Sequence, residues 1–261
     1  MGLYFRVFYF EVLRYFTYPL EMVAIVVRRL VEVGFFVLFW LAVAHSSNGT
    51  INTREIISYI LIARSITGIT GGTGLMFSGF INHMIRRGDI NNYLIKPVSL
   101  IPYFYSMFSG ERAITAIVSS ATLVAGIVIG SASLTLAYVL LFLAYFVVGF
   151  LIITLFNILV GIISFYVIDS APLRWSIGHV FNVFSGAMIP LSLFPHVWQK
   201  ILLLSPFPMA IYGPASVFAP STLTFTHPQM FLVGITWVII LWVATSYLWK
   251  RALRSYDAIG I

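Results

Sequence analysis

Ile81-Asn-His-Met-Ile-Arg-Arg-Gly-Asp-Ile-Asn-Asn-Tyr-Leu-Ile-Lys-Pro97 is the longest polar interruption between apolar runs in this chain. It carries Arg86, Arg87, Asp89 and Lys96, where only 9% of all residues are charged. Long apolar runs flank it on both sides. It therefore reads as a loop pinned between two membrane spans. Ile90, Tyr93 and Leu94 recur at i, i+3 and i+4, the spacing of one helix face. Asp89 falls in the first turn of that predicted helix, where the macrodipole favours an anion. Gly88 permits a sharp entry, and Pro97 stops the helix. Two readings of a short amphipathic helix with basic flanks stand side by side. It is a peg for a soluble partner, or it lies on lipid headgroups.

The composition around this stretch sets the class. The chain has 261 residues and is 60% hydrophobic, with a mean hydropathy of +0.99. Soluble domains are about 45–50% apolar and about 25% charged, so an all-α integral membrane protein is predicted. The net charge of +7 does not point to nucleic acid, because the basic residues gather at the ends of apolar runs. Cysteine is absent, which excludes a disulfide framework, a thiolate metal site and a cysteine nucleophile. The first apolar segment is broken by Arg6, Glu11 and Arg14, so no cleavable signal peptide is expected.

Taken in order, residues 1–27 are too charged to span and too apolar to be solvated. They predict an interfacial amphipathic helix broken at Tyr18-Pro19. Spans follow over residues 28–45, 55–81, 112–130, 134–168, 175–193 and 229–249. The fourth of these is read as one long helix, because no proline, charge or polar cluster supplies a turn. Residues 82–97 form the cytoplasmic segment. Residues 194–220 are apolar but broken by Pro195, Pro206, Pro208, Pro214 and Pro220, which predicts short re-entrant helices on the outer side. Twelve basic residues then fall inside: Arg6, Arg14, Arg28, Arg29, Arg86, Arg87, Lys96, Arg112, Arg174, Lys250, Arg251 and Arg254. Only Arg54 and Lys200 fall outside, an asymmetry that orients both termini to the cytoplasm.

Few side chains stand out as chemistry. Glu32 and Arg64 lie within predicted spans, where a charge is costly unless paired or hydrated. They are either a structural pair or members of a translocation path, with Asn157 and Asn182 as further polar candidates on that path. Asn182 and His179 read more simply as interhelical hydrogen-bond formers. Gly68, Gly71, Gly72 and Gly74 do not make a phosphate loop, because no Lys-Ser/Thr pair follows them. Gly126 and Gly130 give a small-residue face suited to close helix packing. The five histidines are too scattered for a metal site.

Two motifs carry a family resemblance. Arg87-Gly88-Asp89-Ile90 followed by Leu94-Ile95-Lys96-Pro97 is similar to the Arg-Gly-x-Ile and Leu-x-x-Pro pattern after the second span of ABC-2 exporter permeases. Ser185-Gly186 with Ile189-Pro190-Leu191, then Phe194-Pro195, Pro206-Phe207 and Tyr212-x-Pro214, resembles the outer segment of the same family. Trp249-Lys250-Arg251 with Tyr256 and Gly260 is a weaker third element. There the chain ends Gly260-Ile261, where family members often have a glycine pair. The chain thus resembles the permease subunit of an ATP-binding-cassette exporter, in the drug- and antibiotic-export branch.

The resemblance implies a mechanism and a set of roles. Arg86, Arg87, Gly88, Asp89, Ile90, Tyr93, Leu94, Lys96 and Pro97 would form a coupling helix seated in a separate cytoplasmic ATPase, present in two copies. Gly186, Pro190, Phe194, Pro195, Pro206 and Phe207 would form an outer gate. Residues 1–27 would be a connecting helix. A second permease chain, identical or related, would complete the path in the inner membrane of a prokaryote. ATP and magnesium would be held by the partner, so no cofactor and no enzymatic activity are expected here. The cargo would be a drug, antibiotic, lipid-like molecule or peptide. An ion-coupled carrier or channel would show internal repeats and paired midplane breaks, and none is found. A lipid-modifying enzyme would need clustered carboxylates, whereas Glu11, Glu21, Glu32, Glu111 and Asp169 are isolated in the sequence.

Overall fold

The computed structural model describes residues 2–47, 49–71, 76–95, 98–132, 134–167, 170–219 and 227–254, and every regular element among them is helical. Helix α1 (Leu3–Thr17) stops at Tyr18, and Pro19 opens α2 (Pro19–Ser46). Proline suits a first turn because its ring presets helical φ and its missing N–H needs no partner there. The helix of the first predicted span therefore begins at Pro19 and not at Arg28. Leu30, Val31, Phe35, Leu38 and Phe39 on α2 are all at least half exposed, while Val33, Trp40 and Ala44 are buried. A water-soluble surface does not carry so large an apolar face.

Helix α3 (Thr53–Thr70) is the most enclosed element. Asn52 caps it by accepting the Arg54 N–H, and every side chain from Ile56 to Gly68 is buried. Its main neighbour is α7 (Ala113–Gly130). The approach is close because α7 presents small residues. A Cβ on Gly126 would sit 2.9 Å from Ile62 Cγ1, and one on Gly130 would sit 2.4 Å from Ser58 Oγ. Ser58 donates to the Gly126 carbonyl at 2.8 Å, and Ser65 and Thr122 share a bond of 2.7 Å.

The run over residues 55–81 does not continue as one helix. Gly71 sits at φ 88° and ends α3, and a separate helix α4 (Met76–Arg86) follows. A left-handed residue terminates an α-helix, and glycine adopts it without steric cost. Gly72 and Gly74 lie outside the described residues. Next come the short α5 (Asn91–Leu94) and α6 (Leu100–Glu111). Helix α6, which the semi-polar sequence does not announce, packs on α1. Gly110 makes room for it, since a Cβ there would lie 2.6 Å from the Phe8 carbonyl oxygen. The Tyr15 hydroxyl donates to the Glu111 carbonyl across the same contact.

Helix α8 (Leu136–Ile162) runs on into a 3-10 turn, Ile163–Phe165, as one long element. Helix α9 (Ala171–Phe184) is shorter than the run over 175–193 suggests. Its 14 residues reach about 21 Å at about 1.5 Å each, against a hydrocarbon core of about 30 Å. It ends at Ser185-Gly186, with Gly186 at φ 84°. A 3-10 turn (Leu191–Leu193), α10 (His196–Leu203), α11 (Phe207–Ala210) and α12 (Tyr212–Phe218) then precede α13 (His227–Arg254), with α11 and α12 packed on α8. Among the described residues, three helices, α7, α8 with its 3-10 extension, and α13, are long and apolar enough to cross a membrane.

The packing of α8 under α11 has no slack. A Cβ on Gly149 would lie 2.8 Å from the carbonyl oxygens of both Met209 and Ala210, which are backbone and cannot swing away. Gly149→Val is expected to cost about 1–3 kcal/mol by overpacking. A lowered melting temperature of the purified protein in detergent would show it.

Candidate functional site

The polar turn between α4 and α6 is clamped by its own apolar residues. Gly88 adopts φ 71°, and its N–H reaches the Ile85 carbonyl at 3.1 Å. The chain turns back so that the Ile90 N–H bonds to the Met84 carbonyl at 3.2 Å. Ile90 is 1% exposed and lies in a cluster with Phe77, Ile81, Met84, Ile85, Phe104, Ile158, Ile162 and Ala252. Tyr93 packs its ring against Tyr103 and Phe104, with centroids 5.5 and 5.1 Å away. Burial raises the Tyr93 phenol above its ordinary pKa, and Tyr103 and Asp89 add to the rise.

Two features of the predicted coupling helix change in consequence. The helix is one turn, Asn91–Leu94, so Asp89 precedes it instead of lying in its first turn. Ile90, read as part of a docking face, points into the core because α6 offers it Phe104. The outward surface is Arg86, Arg87, Asn92 and Ile95, with Asp89 half-buried beside them. Ile95 is 83% exposed. Met84, Asp89, Asn92, Tyr93 and Ile95 line a surface cavity of about 520 Å³. A β-branched residue inside a polar stretch was the available signal for Ile95. Lys96, Pro97 and the Leu94 side chain lie outside the described residues.

The structure brings Glu32 and Arg64 together and adds a third charge, Arg29. Glu32 bridges Arg29 at 2.9 Å and also meets Arg64. Arg29 donates from Nε to Ser119 Oγ at 3.1 Å and from its terminal nitrogen to the Arg64 carbonyl. Arg64 lies over the Phe36 ring at 4.3 Å. Gly68 makes the space: a Cβ there would sit 2.5 Å from the Arg29 guanidinium and closer still to Ser119. Arg29 and Arg64 are 5% and 8% exposed, whereas the Glu32 side chain is 37% exposed. One carboxylate thus serves two buried guanidiniums and joins α2, α3 and α7. The other two path candidates are elsewhere in the hydrogen-bond network. Asn157 donates to Ile153 of its own helix at 2.9 Å, and Asn182 to Gly178 at 3.0 Å.

The outer candidates form a connected group. Tyr59 donates to the Gly186 carbonyl at 2.8 Å, and the Trp40 indole to the Met188 carbonyl at 3.2 Å. A Cβ on Gly186 would fall 2.5 Å from the Tyr59 hydroxyl. Gln199 donates to the carbonyl of Phe194 at 2.7 Å. Pro195 stands at the start of α10, and Pro206 at the start of α11. Phe207 packs against Phe156, Phe181 and Phe184. Pro190, Ser192, Tyr59, Tyr212 and Glu55 help line a cavity of about 320 Å³.

This helical chain, with its clamped polar turn and broken apolar segment, matches the family model described as ABC-2 family transporter protein over residues 30–260. The chain belongs to the ABC-2 transporter family. No curated protein matches it. As an ABC-2 member it is a multi-pass membrane protein and a permease subunit of an ABC transporter. Its working partner is an ATPase. The ABC-2 match spans α3 to α13 and most of α2, so it includes the site residues described above except Arg29.

The three-charge cluster of this ABC-2 permease yields a direct test. Glu32→Gln leaves two buried guanidiniums without a counter-charge. The expected loss is about 1–3 kcal/mol, below the ~3–5 of a fully buried pair because Glu32 is partly exposed. Adding Arg64→Met should regain part of that loss in a thermal melt.

Proposed function

We propose that this chain is the six-span permease of an ATP-driven exporter, and that the turn from Arg86 to Ile95 transmits force from the ATPase. The carrying observation is the clamp on that turn. Ile90 and Tyr93 tie it to α4 and α6, and α4 lies tightly on α8. A Cβ on Gly161 would be 2.8 Å from Ile81 Cδ1. A push on Arg87, Asp89 or Ile95 therefore reaches α8 through packed side chains instead of dissipating in a loop.

In this reading both termini are cytoplasmic, in the inner membrane of a prokaryote, as the basic residues favour. Helix α1 is the connecting helix at the inner interface. Two ATPases hold ATP and magnesium, and this chain performs no chemistry on them. A second permease, identical or related, faces this one. Their exposed apolar helix faces meet lipid and each other. Glu32 and Arg64 lie toward the path, and the Gly186–Phe207 segment forms the outer gate. The cargo class follows the resemblance: a drug, antibiotic, lipid-like molecule or peptide, moved outward.

Ile95→Asp combined with Arg87→Glu alters only exposed positions. Aromatic and aliphatic anchors dominate such contacts, so the pair should cut permease-stimulated ATP hydrolysis on the order of tenfold or more. The permease should still insert and run as a single species on gel filtration. Stimulation equal to the unaltered protein would count against the coupling role.

A further inference from the structure

A second basic feature adjoins the coupling turn and shares Arg86 and Arg87 with it. Gly79, Asn82, His83, Arg86 and Arg87 of α4 and its end, with Ala171 and Arg174 of α9, line a cavity of about 550 Å³. Three guanidiniums and an imidazole converge there, and none of the described lining residues is acidic. Even with Asp169 counted against them, though it lies outside the described residues, the arginines leave an excess of positive charge. Arg174 lies close against the backbone of α4: a Cβ on Gly79 would be 2.4 Å from the guanidinium.

The second, independent observation is Asn82. It is 5% exposed, it lines the cavity, and its amide nitrogen has no hydrogen-bond partner. A buried donor left unsatisfied costs about 1–3 kcal/mol, so such a donor in a cavity marks a place for an acceptor. The start of α9 at Ala171 also lines the cavity, which adds the positive end of a helix. The three guanidiniums and the unpartnered Asn82 amide N–H are all donors.

We propose that this cavity binds the phosphate group of an anionic membrane lipid. Guanidiniums bind phosphate oxygens through paired N–H donors, and basic pockets between helices at the cytoplasmic side suit anionic headgroups. The flanking residues favour a lipid over free phosphate or an acidic side chain of the ATPase. Leu173 and Trp175, on either side of Arg174, are 44% and 62% exposed. They offer an apolar surface to an acyl chain and an indole to the headgroup level. The placement at the inner leaflet rests on the orientation proposed above. A headgroup here would bridge α4 to α9 next to the coupling turn.

The test uses the purified full-length permease in detergent, read by native mass spectrometry and by melting temperature. The probes are short-chain phosphatidylglycerol, short-chain phosphatidylcholine and inorganic phosphate. The unaltered chain should retain phosphatidylglycerol and be stabilised by it, and should respond weakly to the other two. Arg174→Gln and Asn82→Leu should each weaken phosphatidylglycerol retention about tenfold, the scale of one charge-assisted hydrogen bond. Arg174→Lys, which keeps the charge but loses the fork, should fall between. Lys200→Gln, on α10, should change nothing. Equal retention by Arg174→Gln, Arg174→Lys and Asn82→Leu overturns the proposal, as does inorganic phosphate binding as well as the lipid. Variants that keep the lipid but lose the ATPase in co-purification would make the cavity a partner contact and overturn it too. Loss of lipid with the ATPase retained supports it, and separates it from the coupling reading.

Discussion

A backbone inside a bilayer has no water to turn to, so each of its polar groups must find a partner in the protein. This chain breaks its helices within apolar sequence, and the breaks are answered by side-chain donors from neighbouring helices. Tyr59 of α3 takes the Gly186 carbonyl, and Trp40 of α2 takes that of Met188. Gln199 takes the carbonyl of Phe194, and Trp237 of α13 takes that of Leu204 at 2.7 Å. Tyr145 of α8 takes that of His227 at 2.5 Å. The irregular segment from Gly186 onward is thus held by amphipathic donors whose rings or stems also fill apolar space. A segment fastened at so many carbonyls is suited to moving as a unit.

The same constraint explains the enclosed helix α3. Its serines, threonines and Arg64 cannot face lipid cheaply, so α2 and α7 close around it. Small residues at Gly68, Ser119, Gly126 and Gly130 bring the backbones near enough for Ser58, Ser65 and Arg29 to bond across. Arg29 and Arg64 share one carboxylate that keeps partial contact with the surroundings. A cluster with an excess of positive charge is here a structural joint between α2, α3 and α7. Its position is set by the packing of three helices and not by any local sequence motif.

On the other side of the molecule the packing principle is apolar. Ile90, Phe77, Ile81, Phe104, Ile158 and Ile162 draw the polar turn, α4, α6 and α8 into one cluster. Two devices therefore operate in one chain: directional hydrogen bonds at the breaks from Gly186 onward and dense side-chain contact at the polar turn around Gly88. The contrast fits the demands. A segment without regular helix must satisfy its carbonyls, whereas a turn anchored by Ile90 is held by close packing, which resists compression well.

Composition and period alone determined the all-helical membrane class, the break at Tyr18-Pro19, the uninterrupted α8 and the polar turn around Gly88. These are local properties: proline geometry, apolar run length and the clustering of charge. The halving of the run over 55–81 was concealed because glycine serves equally for close helix contact and for a left-handed stop, and only Gly71 at φ 88° decides between them. The partner of Ile90 was concealed because i, i+3, i+4 spacing defines a face but not which way the face turns. Helix α6 supplied Phe104 and turned it inward. The meeting of Arg29, Glu32, Arg64 and Ser119, and that of Gly79 with Arg174, joins residues distant in sequence. Such contacts are fixed by helix packing, and no single segment contains the information that sets it.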